Sequence, residues 1–271
     1  MGQTRDLGAL DGPVLLFGGP VSNFHALAAL DARARELDIP PQRMICTGDL
    51  VAYCADAAWT VALARALGFP LAAGNMEMQL GAGARDCGCG FAEGAACDAL
   101  AARWFAHADA EIGADDRRWM AALPERLVFS HRGRRFAVVH GGARETNRFL
   151  WPVTPDEALR AEMAMLEEDL GPLGGVICGH SGIPFAREID GRLWLNAGAL
   201  GMPPNDGDPR APCVLLDGEA TIERLPYDCE AAARAMEAAG LRDGYETALR
   251  TGWWPSEDVL PPQMRRLARA C

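Results

Sequence analysis

Four residues of this chain stand where short apolar runs meet glycine-containing turns: Asp49, Asn75, His140 and His180. Two imidazoles, one carboxylate and one amide oxygen make a mixed nitrogen and oxygen donor set. Such a set suits Zn, Mn or Fe(II) better than Ca or Mg. Each residue alone has a plainer reading, because Gly-Asp and Gly-Asn are common turn pairs and a loop histidine often only caps a backbone group. Four of them at successive strand ends point to a metal site. Side chains at the carboxyl ends of sheet strands converge on the crevice where open α/β sheets bind ligands.

The elements that must position these residues follow from the apolar pattern. Residues 13–17, 43–47 and 69–73 read as buried strands, and the last two lead into Asp49 and Asn75. Between them lie two helices. One is capped by Asn23, with Leu27, Leu30, Ala34 and Leu37 on its apolar side; the other spans 56–67, with Trp59, Leu63 and Leu67. Alternating strands and helices predict a parallel sheet with crossover helices. Residues 127–130 and 135–139 predict a hairpin about Arg132-Gly133 that ends at His140. The run 175–178 delivers His180 onto Gly179-His180-Ser181-Gly182. Further hairpins are expected through Asp190-Gly191 and Asp217-Gly218. Helices are expected at 95–106, 115–122, 155–170 and 229–239. Residues 1–12 read as a loose lead-in, 81–94 as an irregular cysteine-bearing loop, and Trp253-Trp254-Pro255 as a docking tail.

Five blocks in order carry a resemblance: Gly48-Asp49-Leu50-Val51, Gly74-Asn75-Met76-Glu77, Val139-His140-Gly141, Gly179-His180-Ser181-Gly182 with Ile183-Pro184-Phe185, and Asn196-Ala197-Gly198 with Gly201-Met202-Pro203. The chain resembles the calcineurin-like metallophosphoesterases, in particular their small bacterial phosphodiesterase branch. The resemblance implies an α/β fold, a four-layer α/β/β/α sandwich of two packed mixed sheets. It places the domain over residues 1–228 (core 13–226), with a helical extension at 229–271 docked on it. It also implies that Asp49, Asn75, His140 and His180 are metal ligands.

The departures from the family pattern have an order. Gly19, Val21 and Gly182 stand where the family has the three private ligands of its first metal, whereas those of the second are all present. One divalent transition metal ion, Mn, Zn or Fe, is therefore expected. Met76 replaces the family histidine credited with protonating the leaving group. Glu77 is then a candidate acid or base, its other reading being a first-turn carboxylate that complements a helix dipole. Arg144, and less so Arg148, are candidates to hold a phosphate. Cys54, Cys87 and Cys89 are either packed thiols or soft-metal ligands. His25, His107 and His131 read as structural. The expected function is a hydrolase of a small phosphodiester or phosphoanhydride acting through metal-activated water. The alternative is a silent module that binds a metal or a phosphorylated ligand.

Composition sets the outer bounds. The 271 residues carry a formal charge of −11, and all 26 basic residues are arginine. That balance argues against a nucleic-acid partner and leaves a small phosphorylated molecule as the expected one. It also means that an anionic substrate needs a metal or a local arginine cluster. No run is long and apolar enough to span a membrane, and no apolar stretch follows the first residues. Nine cysteines, an odd number in a chain of this size, read as mostly reduced thiols and a cytoplasmic location.

Overall fold

The computed structural model describes residues 2–91 and 96–266. Its strands are β1 (Thr4–Ala9), β2 (Val14–Phe17), β3 (Met44–Cys46), β4 (Arg126–His131) and β5 (Arg134–Val138), then β6 (Gly175–Cys178), β7 (Phe185–Ile189), β8 (Arg192–Asn196), β9 (Ala211–Asp217) and β10 (Glu219–Leu225). The helices are α1 (Phe24–Glu36), α2 (Ala57–Leu67), α3 (Asn75–Ala82), α4 (Ala96–Glu111), α5 (Ala114–Ala121), α6 (Asp156–Leu170), α7 (Cys229–Ala238) and α8 (Tyr245–Thr251). Two mixed sheets form, one of six strands in the order β1-β4-β5-β6-β8-β7 and one of four in the order β10-β9-β2-β3.

The central strands are apolar along their length because both faces are covered, and alternate residues serve different layers. In β2, Val14 and Leu16 enter the core between the sheets, while Leu15 and Phe17 meet the helices. In β6, Ile177 faces the other sheet and Val176 and Cys178 face α6. One outer layer is thus α6, through Leu159, Met163 and Leu166. The other is built around α1, α2, α3, α4, α7 and α8. The architecture is the four-layer α/β/β/α sandwich.

Three local differences from the sequence reading have physical causes. β1 is an edge strand paired parallel to β4; its mostly exposed residues show no apolar alternation to read. The run 69–73 contributes only a bridge from Leu71 to Cys46, because Pro70 has no N–H to donate to a ladder. Helix α3 opens directly at Asn75, where Glu77 accepts the Gly74 N–H as the return half of a capping box. At the other end of the chain, Leu260 and Met264 pack with Trp151 and Ile183, and Trp254 lies against the same cluster.

Candidate metal centre

His140 sits just beyond β5, and its ring is held from behind. Nδ1 lies 2.8 Å from the Thr47 carbonyl oxygen, which can only accept, so Nδ1 carries the proton. Nε2 therefore presents its lone pair to the cluster in the neutral ring. Three ligand atoms surround it: Asn75 Oδ1 at 3.1 Å, His180 Nδ1 at 3.0 Å and Asp49 Oδ2 at 3.2 Å. The Asn75 amide is turned by its own partners, since Nδ2 donates to the Cys87 carbonyl at 2.8 Å and lies 3.4 Å from Cys89 Sγ. Its oxygen is thereby left facing His140. One ligand atom each from Asp49, His140 and His180 lies within 4.8 Å of the other two. Electron-rich atoms this close repel unless a proton or a cation sits among them. The donor set and its orientation fit a divalent metal.

The backbone here is bent into conformations that side-chain-bearing residues seldom adopt. Asp49 has φ +62° and His180 φ +51°, each costing about 1–3 kcal/mol. Glu77 holds the first of these turns. Its Oε2 accepts the N–H groups of Asp49 and Gly74, both at 2.8 Å, and its Oε1 accepts that of Leu50 at 2.7 Å. Gly19 lets this turn pack closely, for a Cβ there would lie 2.5 Å from the Asp49 carbonyl oxygen.

Charge is shared unevenly within the cluster. Burial alone would raise the Asp49 carboxyl, but His140, His180 and the Met76 N–H hold it below the ordinary carboxylate value. Burial alone would lower His140, and the Asp49 carboxylate outweighs it and raises the imidazole. Burial and the neighbouring His140 push His180 down to about 3. Burial and the charge of Asp49 raise Glu77.

The structure brings Asp49, Asn75, His140 and His180 together, and it places the two expected catalytic groups elsewhere. Glu77 is fully buried with its oxygens committed to three backbone donors, because its place in the first turn of α3 aims it at the Asp49 turn. Arg144 lies on the surface, paired with Asp169 at 2.7 Å and Glu168 at 3.4 Å. Arg148 is likewise tied to Glu162 at 3.1 Å. Met76 is buried in the helix-side core. Asn23 caps α1 through Ala26 and also reaches the Gly201 carbonyl. Cys54 is buried and its thiol is pushed up. Cys87 and Cys89 form a disulfide, unlike the reduced thiols expected. His25, His107 and His131 lie outside the cluster, His107 against the Ala55 carbonyl and His131 against that of Leu10.

Sequence reasoning missed what faces the cluster. A cavity lined by Asp49, His140 and His180 is also walled by Tyr53, Trp104, Phe149, Trp151, Tyr245 and Trp254. These aromatics come from separate loops and helices with no shared motif. Only Tyr53, four residues beyond Asp49, lay close enough in sequence to a ligand to be noticed.

The sequence model of the calcineurin-like phosphoesterase superfamily domain matches residues 18–220. Among solved structures, a metallophosphoesterase from Sphaerobacter thermophilus shares 21% identity, with 90% of this chain and 100% of that one covered and a TM-score of 0.69. A hypothetical protein from Pyrococcus horikoshii OT3 shares 16% identity over 90% of this chain and 99% of that one, with a TM-score of 0.71. No curated protein matches the chain. None of the described helices is long and apolar enough to cross a membrane.

Proposed function

Since the chain belongs to the calcineurin-like phosphoesterase superfamily, we propose that it hydrolyses a small phosphodiester with one divalent transition metal ion, Mn, Zn or Fe. Asp49, Asn75, His140 and His180 would hold that ion. The observation that carries this reading is the convergence of Asn75 Oδ1, His180 Nδ1 and Asp49 Oδ2 on His140 Nε2. When bound, such an ion polarises a phosphoryl oxygen and lowers the pKa of a water molecule.

The chain's own residues do the rest. The Thr47 carbonyl fixes the His140 tautomer, the Cys87 carbonyl turns the Asn75 amide, and Glu77 holds Asp49 in its bent turn. Met76 has no proton to give a leaving group, and general acid catalysis typically contributes about 10²–10⁴-fold. Esters with good leaving groups are therefore favoured. None of the described residues lining the cavity is an arginine, which favours a singly charged diester over a phosphoanhydride.

The same lack of a cation and of a proton donor supports a second reading, a silent module that binds a ligand without turnover. Elemental analysis after loading with Mn or Zn, together with hydrolysis of bis(p-nitrophenyl) phosphate, separates the two. The proposal expects about one ion per chain, with both ion and turnover lost in Asp49→Ala and His180→Ala. Metal content indifferent to both substitutions overturns it. Bound metal without turnover under any divalent ion selects the silent module.

A further inference from the structure

The Cys87–Cys89 disulfide lies against one of the proposed metal ligands. Asn75 Nδ2 donates to the Cys87 carbonyl at 2.8 Å and lies 3.4 Å from Cys89 Sγ. Cys89 also borders the cavity that Asp49, His140 and His180 line. The turn that carries the pair reaches the other side of the cluster as well. Asn147 Nδ2 donates to the Gly88 carbonyl at 3.0 Å, and Phe91 stacks at 6.0 Å on Phe149, which lies 4.4 Å from the His180 ring. One short turn thus touches the surroundings of two ligands.

A bridge across a single residue is a poor staple. The chain entropy that a disulfide removes grows with the loop it closes, and this loop holds only Gly88. The effect of the bond is therefore local. It holds the turn closed, with Gly88 at φ +59° and the Cys89 N–H 3.2 Å from Cys87 Sγ. Two thiols cannot stand as close as two bonded sulfurs, so reduction must widen the turn. Cys87 is 7% and Cys89 6% exposed, and the widening falls on what the turn touches, first of all the Asn75 amide. An amide freed from the Cys87 carbonyl can present its nitrogen to His140 in place of its oxygen. The six other described cysteines are free thiols, so a reductant has this one bond to break among the described residues.

We propose that Cys87 and Cys89 form a thiol–disulfide exchange site whose bond holds the Asn75 amide in its metal-facing orientation. The co-reactant is a dithiol. Its thiolate attacks the sulfur of Cys89, the residue that borders the cavity, and a mixed disulfide forms as the Cys87–Cys89 bond breaks. The Cys87 sulfur leaves as a thiolate and takes up a proton. The second thiol of the reductant then attacks the reductant's own sulfur in the mixed disulfide. A cyclic disulfide closes, and the Cys89 sulfur leaves and is protonated. Two electrons and two protons have passed from the dithiol to the pair. The link to the ion rests on reading Asn75 as a ligand, whereas the exchange stands on the pair itself.

The test compares chelated protein as isolated in air with a portion reduced by dithiothreitol and desalted under argon. Alkylation in denaturant, followed by peptide mass, should find Cys87 and Cys89 unlabelled in the first and labelled in the second. The Asn75 side-chain amide, assigned in nitrogen-correlated proton spectra by its loss in Asn75→Asp, should shift between the two states. Affinity for Mn in a metal-buffered titration should fall about tenfold on reduction, since outer partners of metal ligands typically matter roughly 10- to 100-fold. Cys87→Ser combined with Cys89→Ser should bind Mn like the reduced protein and ignore dithiothreitol, with circular dichroism that of the wild type. Free thiols at both positions in the protein isolated in air overturn the proposal. So does an Asn75 amide indifferent to reduction, or Mn bound equally tightly in both states. An amide that shifts in a protein holding no metal in either state refutes the metal centre and leaves the exchange site standing.

Discussion

Replacing Glu77 with glutamine is expected to loosen the metal centre without touching a ligand. The carboxylate accepts three backbone N–H groups at 2.7–2.8 Å, two of them from Asp49 and Leu50. Hydrogen bonds to a charged acceptor contribute about 1.5–3 kcal/mol each. A glutamine oxygen can keep the Asp49 and Gly74 donors, but its amide nitrogen then faces the Leu50 N–H, donor against donor. One such bond is lost, and relief of a buried charge offsets part of the loss. A net destabilisation of about 2 kcal/mol is expected, equivalent to roughly 3–7 °C in Tm for a domain of this size.

That loss is comparable with the strain of holding Asp49 at φ +62°, about 1–3 kcal/mol. The turn should relax, and metal affinity should fall about 10- to 30-fold. Thermal melts and a metal-buffered titration with Zn or Mn read both quantities. Wild-type melting and metal binding in Glu77→Gln, combined with a more than hundredfold loss of turnover, would refute the argument. That outcome would make Glu77 an acid or base in the chemistry.

Gly19→Ala places a Cβ 2.5 Å from the Asp49 carbonyl oxygen, so the turn must shift. A loss of about 1–3 kcal/mol in chemical denaturation is expected, with metal affinity down at least tenfold by titration. Arg144→Ala should leave kcat/KM within about twofold, since the side chain is half-exposed and engaged by Asp169 and Glu168. Removing metal should make stability depend on pH in a particular sense. His140 is raised above 6.5 in the fold, so its contribution is complete below that pH and is lost as pH rises through the raised value. Asp49 is lowered below 3.8, so its contribution is present above that pH and is lost as pH falls through the lowered value. His180, pushed down to about 3, acts the other way below 6.5, because the unfolded imidazole takes up a proton that the folded one refuses. Chelated protein should therefore melt highest near about pH 6.5 and lose Tm both toward pH 8, as His140 gives up its proton, and toward pH 4, where His180 resists taking one, whereas Zn-loaded protein should not weaken over the rise to pH 8. Differential scanning calorimetry of both forms gives the comparison.

The sandwich was legible because its central strands, such as β2, β3 and β6, are short, apolar and followed by glycine-containing turns, which fixes both their type and their end. β2 and β6 show this best, each alternating between two cores without any polar residue. The strand-end ligands were legible for the same reason. β1 was not, because its mostly exposed side chains carry no periodicity. Glu77 was legible as a carboxylate but not in its task. The capping pattern from Gly74 to Glu77 gives the first hydrogen bond of that side chain, whereas the two to Asp49 and Leu50 join turns that are far apart in sequence.

The cavity shows where local reading ends. Gly182 in the sequence is an absence, a small residue at the close of a turn. In the structure it has φ +71° and looks onto Trp254, more than seventy residues further along the chain. The indole donates to the Pro203 carbonyl at 2.6 Å, and the Trp254 backbone N–H donates to Asn205 Oδ1 at 2.8 Å. Two hydrogen bonds thus fix the ring that closes the cavity to the end of the last of the five sequence blocks and to the residues just after it. A side chain at 182 would carry strain at that φ and would grow toward the indole. The small residue and the distant tryptophan are therefore two halves of one wall. A change at either should reshape the cavity before it is felt by the metal ligands.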